Sequence, residues 1–311
     1  MNILQAFLRL IRWPNLLFIA LTQILFRYFI LPFSFVYQQP EAVFKLHNSL
    51  FFLLMAASIC IAAAGYIING YFDLNIDLVN KPESLIVDRY IKRRWAIVWH
   101  ITLSSIGLLL SFYVGYKLGN IYVPFFNLLA IVSLWFYSAS LKKKFFIGNV
   151  LIALLTAWVI LVITLAEYRF GRGTTEGWQR LLKFTFIYSG FAFIISLVRE
   201  VVKDMEDLVG DEKYGCKTMP IVWGIRVSKV YAAVWISVLI ATVLILLFYV
   251  MQLGWWFSAI YSLITIALPL GWLMKKLYDA KTANDYHQLS SAIKVIMLLG
   301  MLSMIFFSKT L

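Results

Sequence analysis

Nine stretches of continuously apolar residues recur along the chain, at about 15–36, 49–69, 95–115, 121–140, 146–166, 182–203, 227–250, 254–275 and 290–308. Each is close to the roughly 20 residues that an α-helix needs to cross a bilayer. Hydrocarbon offers no partner to an unpaired backbone amide or carbonyl, so a spanning chain is either helical or a closed barrel. A barrel would alternate apolar and polar positions in segments of about ten residues, and these stretches do not alternate. The pattern therefore predicts an all-α polytopic membrane protein with nine transmembrane helices. No polar or Pro/Gly-rich stretch is long enough to link a second unit, so residues 1–311 are expected to form one membrane domain.

Composition agrees, with 62% hydrophobic and 17% aromatic residues. The formal charge of +13 would point to nucleic acid in a soluble protein, but here Lys and Arg fall in the connections between spans. No nucleic-acid partner is expected, and the charges report orientation instead. Arg9 and Arg12, the run Lys81 to Arg94, Lys142 to Lys144, Arg199 to Lys229 and Lys275 to Lys281 all belong to one face. The other face carries Lys45, Lys117, Arg169, Arg172, Arg180, Lys183 and Lys309. The positive-inside rule then places the N-terminus in the cytoplasm and the C-terminus outside, in the cell's inner (cytoplasmic) membrane. The first span shows no small-residue cleavage pattern and is expected to be retained. Cys60 and Cys216 are expected to stay unpaired, and His47, His100 and His287 lack a zinc-type spacing.

Two acidic clusters stand against this apolar background, and both fall at exits on the cytoplasmic face. A single Asp costs about 2.5–3.5 kcal/mol at mid-bilayer, less toward the interface, so such groups call for compensation. The first cluster, Asn69-Gly70-Tyr71-Phe72-Asp73-Leu74-Asn75-Ile76-Asp77, sets Asn69, Asp73 and Asp77 on one helical stripe. In the second, Asp204-Met205-Glu206-Asp207-Leu208-Val209-Gly210-Asp211, one face collects Asp204, Asp207 and Asp211 if the helix persists; Gly210 and Gly215 would break it early and leave Asp211 in a loop. Magnesium keeps its waters and binds through one or two carboxylates together with substrate phosphates, which suits two sparse clusters. The implied ligand is a diphosphate, with Mg2+ as cofactor. Arg12, Lys142, Lys143, Arg199 and Lys203 are the cations available for its remaining oxygens, although loop cations also serve orientation.

The two motifs resemble the signature of the UbiA family of intramembrane prenyltransferases, an Asn-x-x-x-Asp-x-x-x-Asp run followed by Asp-x-x-x-Asp. Here these match Asn69, Asp73 and Asp77, then Asp207 and Asp211. The resemblance extends through Arg12-Trp13-Pro14-Asn15 and the stretch from Tyr137 through Lys142 to Gly148-Asn149. It departs at Gly70, where many relatives carry Asp, and at Glu83-Ser84-Leu85-Ile86-Val87, where they continue Arg-Pro-Ile-Pro-Ser-Gly. It implies a helical bundle around a central cavity. It also implies Mg2+ bound by Asp73 and Asp77 on one side and by Asp207 and Asp211 on the other, these four carrying catalysis; Asn69 and Asp204 are expected as additional metal ligands or as residues that orient them.

The segments Ile68 to Pro82 and especially Arg199 to Gly215, followed by Thr218, Met219 and Pro220, are most similar to the digeranylgeranylglyceryl phosphate synthase branch. That implies transfer of a geranylgeranyl or similar polyprenyl group from its diphosphate to the hydroxyl of a prenylated glycerol phosphate. An aromatic quinone precursor is the alternative acceptor. A cation transporter is the alternative of a different class, disfavoured because the acids gather at one face and not at midplane on several helices.

Overall fold

In the computed structural model the apolar stretches are helices. It describes residues 2–35, 44–168 and 175–307, so Arg169, Arg172 and Lys309, counted above for orientation, lie outside the described residues. Among the described residues nine helices are long and apolar enough to cross a membrane: Trp13–Phe35, Asn48–Phe72, Arg93–Leu118, Tyr122–Ala139, Ile147–Glu167, Glu176–Glu206, Met219–Gln252, Trp256–Asp279 and Ala283–Phe307. The protein is a multi-pass membrane protein. Several helices run past the apolar limits read from the sequence, because polar ends such as residues 204–206 of the sixth span continue the helix.

The second span packs along the third and the fifth along the sixth, while the sixth also meets the seventh and ninth. Close approach of the second and third spans needs a small residue at the crossing. A Cβ on Gly107 would lie 2.8 Å from Ile61 and 3.1 Å from the Ala57 carbonyl. Outward-facing positions stay apolar and uncovered, as Tyr116 and Phe257 show, which is the inverse of a soluble surface and is what lipid requires.

One end of the bundle is closed by a buried polar latch. Arg27 donates from Nε and Nη2 to the Leu46 carbonyl at 3.2 and 2.8 Å. The Glu167 carboxylate accepts from the Lys45 and Leu46 amides at 3.0 and 2.9 Å. The other end opens into a chamber. There the N-terminal helix Ile3–Leu10 turns sharply into the first span at Arg12, whose φ of 51° and ψ of 54° lie in the left-handed region. That conformation is strained for a side chain with a Cβ. Pro14 sits in the first turn of the span, where its missing N–H costs nothing. The turn delivers the Arg12 guanidinium over the Tyr66 ring, 5.4 Å from its centroid.

Candidate active site

Both acidic motifs break their helices at the same relative place. The second span ends at Phe72 and a short helix, Leu74–Asn80, restarts after Asp73, whose φ and ψ are −83° and −5°. The sixth span ends at Glu206 and the helix Leu208–Lys213 restarts after Asp207, at −93° and 9°. The uninterrupted stripe expected through Asn69, Asp73 and Asp77 is thus a kink with Asp73 at its corner. Asp211, for which a loop was the alternative, sits within the short helix.

The two short helices pack on each other. Asn80 ties them: its Nδ2 donates to the Asp207 carbonyl at 2.9 Å, and its Oδ1 accepts from the Gly210 amide at 2.8 Å. A Cβ at position 210 would lie 2.5 Å from the Asn80 amide group, so a larger residue there would have to displace Asn80 from this contact.

Around this joint lies a chamber of about 550 Å³ lined by Asn69, Asp73, Asp77, Asp204, Asp207 and Asp211, together with Arg12, Lys142, Arg199 and Lys203. Every acid named from the sequence, and all but one of the cations, therefore face one space. Lys143 does not line it: the side chain is exposed, and its carbonyl accepts from the Lys217 amide at 2.8 Å. The apolar loop residues Leu85, Ile86 and Val87 form part of the wall. An inner pocket of about 250 Å³ continues from the chamber, sharing Arg12, Tyr66, Asn69, Tyr137, Arg199, Lys203 and Lys294 with it. Farther in, its walls include Phe18, Ile19, Ile61, Leu134, Leu155 and Trp158.

Each corner aspartate is held by a lysine. Lys142, from the turn after the fourth span, pairs with Asp73, which also accepts from Asn69 Nδ2 at 2.6 Å. Lys81 Nζ lies 2.7 Å from Glu206 Oε1 and 2.9 Å from Asp207 Oδ1. Burial works against the Lys81 charge, but Asp207 and Glu206 outweigh it and raise its pKa. The outer carboxylates show the opposite balance. Burial, then repulsion from Asp73, pushes Asp77 up to about 6. Burial, then Asp207 and Asp73, pushes Asp211 up to about 7. Each motif raises a carboxyl of the other, since Asp207 acts on Asp77 and Asp73 on Asp211. The two motifs share one electrostatic field, and it is short of positive charge.

That donor set fits a hard divalent cation. It offers oxygen ligands from two sides, with lysine ammonium groups already paired to Asp73 and Asp207. Among the described residues no three His, Cys, Asp or Glu side chains close into a cage, so the rest of a coordination shell would come from water and substrate phosphate, as magnesium prefers.

Several residues that support the candidate site were not read from the sequence as doing so. Asn149 donates to Asp204 at 2.8 Å, and Lys81 and Asn80 follow the first motif but contact the second. Glu200 precedes Asp204 by four residues and prolongs its stripe, a visible signal. Lys294, an ionisable residue inside the ninth apolar stretch, was equally visible.

The sequence model of the UbiA prenyltransferase family matches residues 28–299. A digeranylgeranylglyceryl phosphate synthase of Methanothermobacter thermautotrophicus is 37% identical over 187 residues, 59% of this chain and 60% of that enzyme. A synthase of the same description from Methanosphaera stadtmanae is 27% identical over 255 residues, 80% of this chain and 86% of that enzyme. The chain spans about three fifths of the length of the first of these relatives. A solved structure concerned with digeranylgeranylglyceryl phosphate synthase superposes with a TM-score of 0.64 at 25% identity, covering 99% of each chain. A UbiA homolog from Archaeoglobus fulgidus, bound to DMAPP and Mg2+, superposes with a TM-score of 0.56 at 16% identity over 98% of this chain and 99% of that one. With the family pattern matched across nearly the whole chain and the paired acidic motifs facing one chamber, the protein belongs to the UbiA prenyltransferase family.

Proposed function

We propose that this protein transfers a geranylgeranyl or similar polyprenyl group from its diphosphate to the hydroxyl of a prenylated glycerol phosphate, in a Mg2+-dependent reaction of ether-lipid synthesis. The observation that carries the reading is the union of an acid-lined chamber with an apolar inner pocket, which matches a donor with a charged head and a hydrocarbon tail. The relatives in Methanothermobacter and Methanosphaera support the choice of acceptor. An ion-conducting reading lacks this support, because the inner pocket is walled mainly by apolar side chains.

On this reading Asn69, Asp73 and Asp77 would hold cation from one side, and Asp204, Asp207 and Asp211 from the other. Bound Mg2+ supplies Lewis-acid stabilisation of the charge that builds on the departing diphosphate. Lys142 and Arg12 add positive charge on the same oxygens, fixed in place before the reaction. The carbon–oxygen bond to the diphosphate breaks with its electron pair leaving on the diphosphate. The acceptor hydroxyl oxygen forms the new bond to the allylic carbon, and its proton passes into the polar chamber. Leu85, Ile86 and Val87 limit water at the reacting carbon, and Tyr66 and Tyr137, at the neck, offer aromatic faces to positive charge.

The chamber is assigned to the cytoplasmic side of the cell's inner membrane, on the Lys and Arg distribution. The deciding experiment supplies purified protein with labelled geranylgeranyl diphosphate, Mg2+ and each acceptor in turn. Label is expected in the prenylated glycerol phosphate, and label in an aromatic ring alone would overturn the assignment.

A further inference from the structure

Apart from the lysines that hold the two corner aspartates, a second group of cations sits at the neck where chamber and inner pocket meet. Arg199 and Lys203 project from the sixth span and Lys294 from the ninth, and all three line both cavities. Glu200 is the carboxylate paired with two of them, while Lys203 also acts on Asp204 and Asp211. Arg199 Nη1 donates to Glu200 Oε1 at 2.9 Å, and Lys203 Nζ lies 3.5 Å from Glu200 Oε2, so both oxygens of Glu200 are already engaged. Arg199 Nε is buried without an acceptor. Lys294 makes no hydrogen bond or ion pair with any described residue, and the charges acting on it are led by Arg199, Lys203 and Arg12. Ser290, four residues earlier on the same helical face, is buried and lines the chamber.

Both oxygens of Glu200 are taken, Arg199 Nε has no acceptor and Lys294 has no partner among the described residues, an arrangement at the edge of hydrocarbon that costs free energy until an anion arrives. We propose that Lys294, Arg199 and Lys203 form a second anion subsite that holds the phosphate of the lipid acceptor. This rests on the proposed phosphate-bearing acceptor and adds where its head group sits.

Two physical requirements favour this assignment over a share in the donor's diphosphate. The acceptor phosphate is a dianion, and if it entered the acidic motifs it would compete with the diphosphate for their cations. The acceptor also has its free hydroxyl only a few bonds from that phosphate, so the phosphate must be anchored close to the donor's reacting carbon. The neck is that place: a diphosphate among the acids and a prenyl tail in the inner pocket put the allylic carbon between them. An arginine with a free Nε offers the forked donor geometry that phosphate accepts, and a flexible lysine on the facing helix completes the grip.

The test uses the full chain in lipid nanodiscs, with labelled geranylgeranyl diphosphate as donor and two acceptors, geranylgeranylglyceryl phosphate and the same lipid without its phosphate. Wild type is expected to prefer the phosphorylated acceptor. Lys294→Met should raise the acceptor KM about 10- to 100-fold, the loss expected for a charge-assisted hydrogen bond, and should narrow that preference. The donor KM should move less than about twofold, and Lys294→Arg should restore most of the loss. Binding of the phosphorylated lipid measured calorimetrically, without Mg2+ or donor, should weaken in parallel. A matching rise in donor KM, or an acceptor preference unchanged in Lys294→Met, would overturn the subsite. If that variant fails to fold, Lys203→Met carries the same expectations. Wild-type transfer to an aromatic ring alone would overturn the reaction itself, and that result needs no variant to be seen.

Discussion

The two acidic motifs are built on one plan but are supported differently. Each kinks a spanning helix at an aspartate, clamps that aspartate with a lysine and leaves the next carboxylate, Asp77 or Asp211, raised by burial and by its neighbours. The first motif, however, lends side chains to the second and takes none back. Lys81 and Asn80 follow Asp77 in sequence and hold Asp207, Glu206 and Gly210. The first motif's own lysine, Lys142, comes from the turn after the fourth span. The second motif also has inner support, with Asn149 on Asp204 and with Arg199 and Lys203 on Glu200. The repeated plan can thus perform one chemistry, while its one-way links fix the spacing of the halves.

The largest effects should come from the feature the halves share. Asp73→Asn and Asp207→Asn should each lower turnover at least about 10²-fold with the helical circular dichroism unchanged, and chelation of divalent ions should do the same to wild type. Wild-type rates in both variants would dissolve the equivalence. The clamps should separate the halves. Lys142, with its side chain 10% exposed, is far better shielded than Lys81 at 37%. Lys142→Met should therefore cost about 10²-fold in kcat/KM and Lys81→Met about tenfold, because solvent weakens the more exposed pair. Asn80→Ala removes the link itself and leaves the Gly210 amide and Asp207 carbonyl without that partner. It should cost about 1–3 kcal/mol in stability and lower turnover about threefold to tenfold, and thermal unfolding with a steady-state assay would check both. Lys143→Ala, at a cation outside the chamber, should change turnover less than about twofold in the same assay.

Nine spans and the convergence of the acids were legible because hydrocarbon imposes length and apolarity, and because a charge at a membrane edge stands out in any sequence. The kinks were not. Spacing of four fits a continuous helix, and nothing local at Asp73 or Asp207 forbids one; the short helices that follow the breaks pack on each other across the two motifs, a contact no local pattern shows. Asn80 carries no signal in the sequence and Lys81 counts there only among the loop cations that report orientation, because their partners lie more than a hundred residues away. Glu200 and Lys294 lay in view, but inside segments recognised only by their hydrophobicity. The Lys142 to Lys144 run was read as one group, and only the turn Leu141–Lys143 separates the inward Lys142 from the exposed Lys143.

The tight seat of Asn80 over Gly210 has a genetic consequence. A methyl group at 210 has no room while asparagine occupies 80, so Gly210→Ala should be harmful in the wild-type background and milder once Asn80→Ala has emptied the space. Two substitutions that each do damage would then be partly mutual suppressors, and the pair should drift together or not at all.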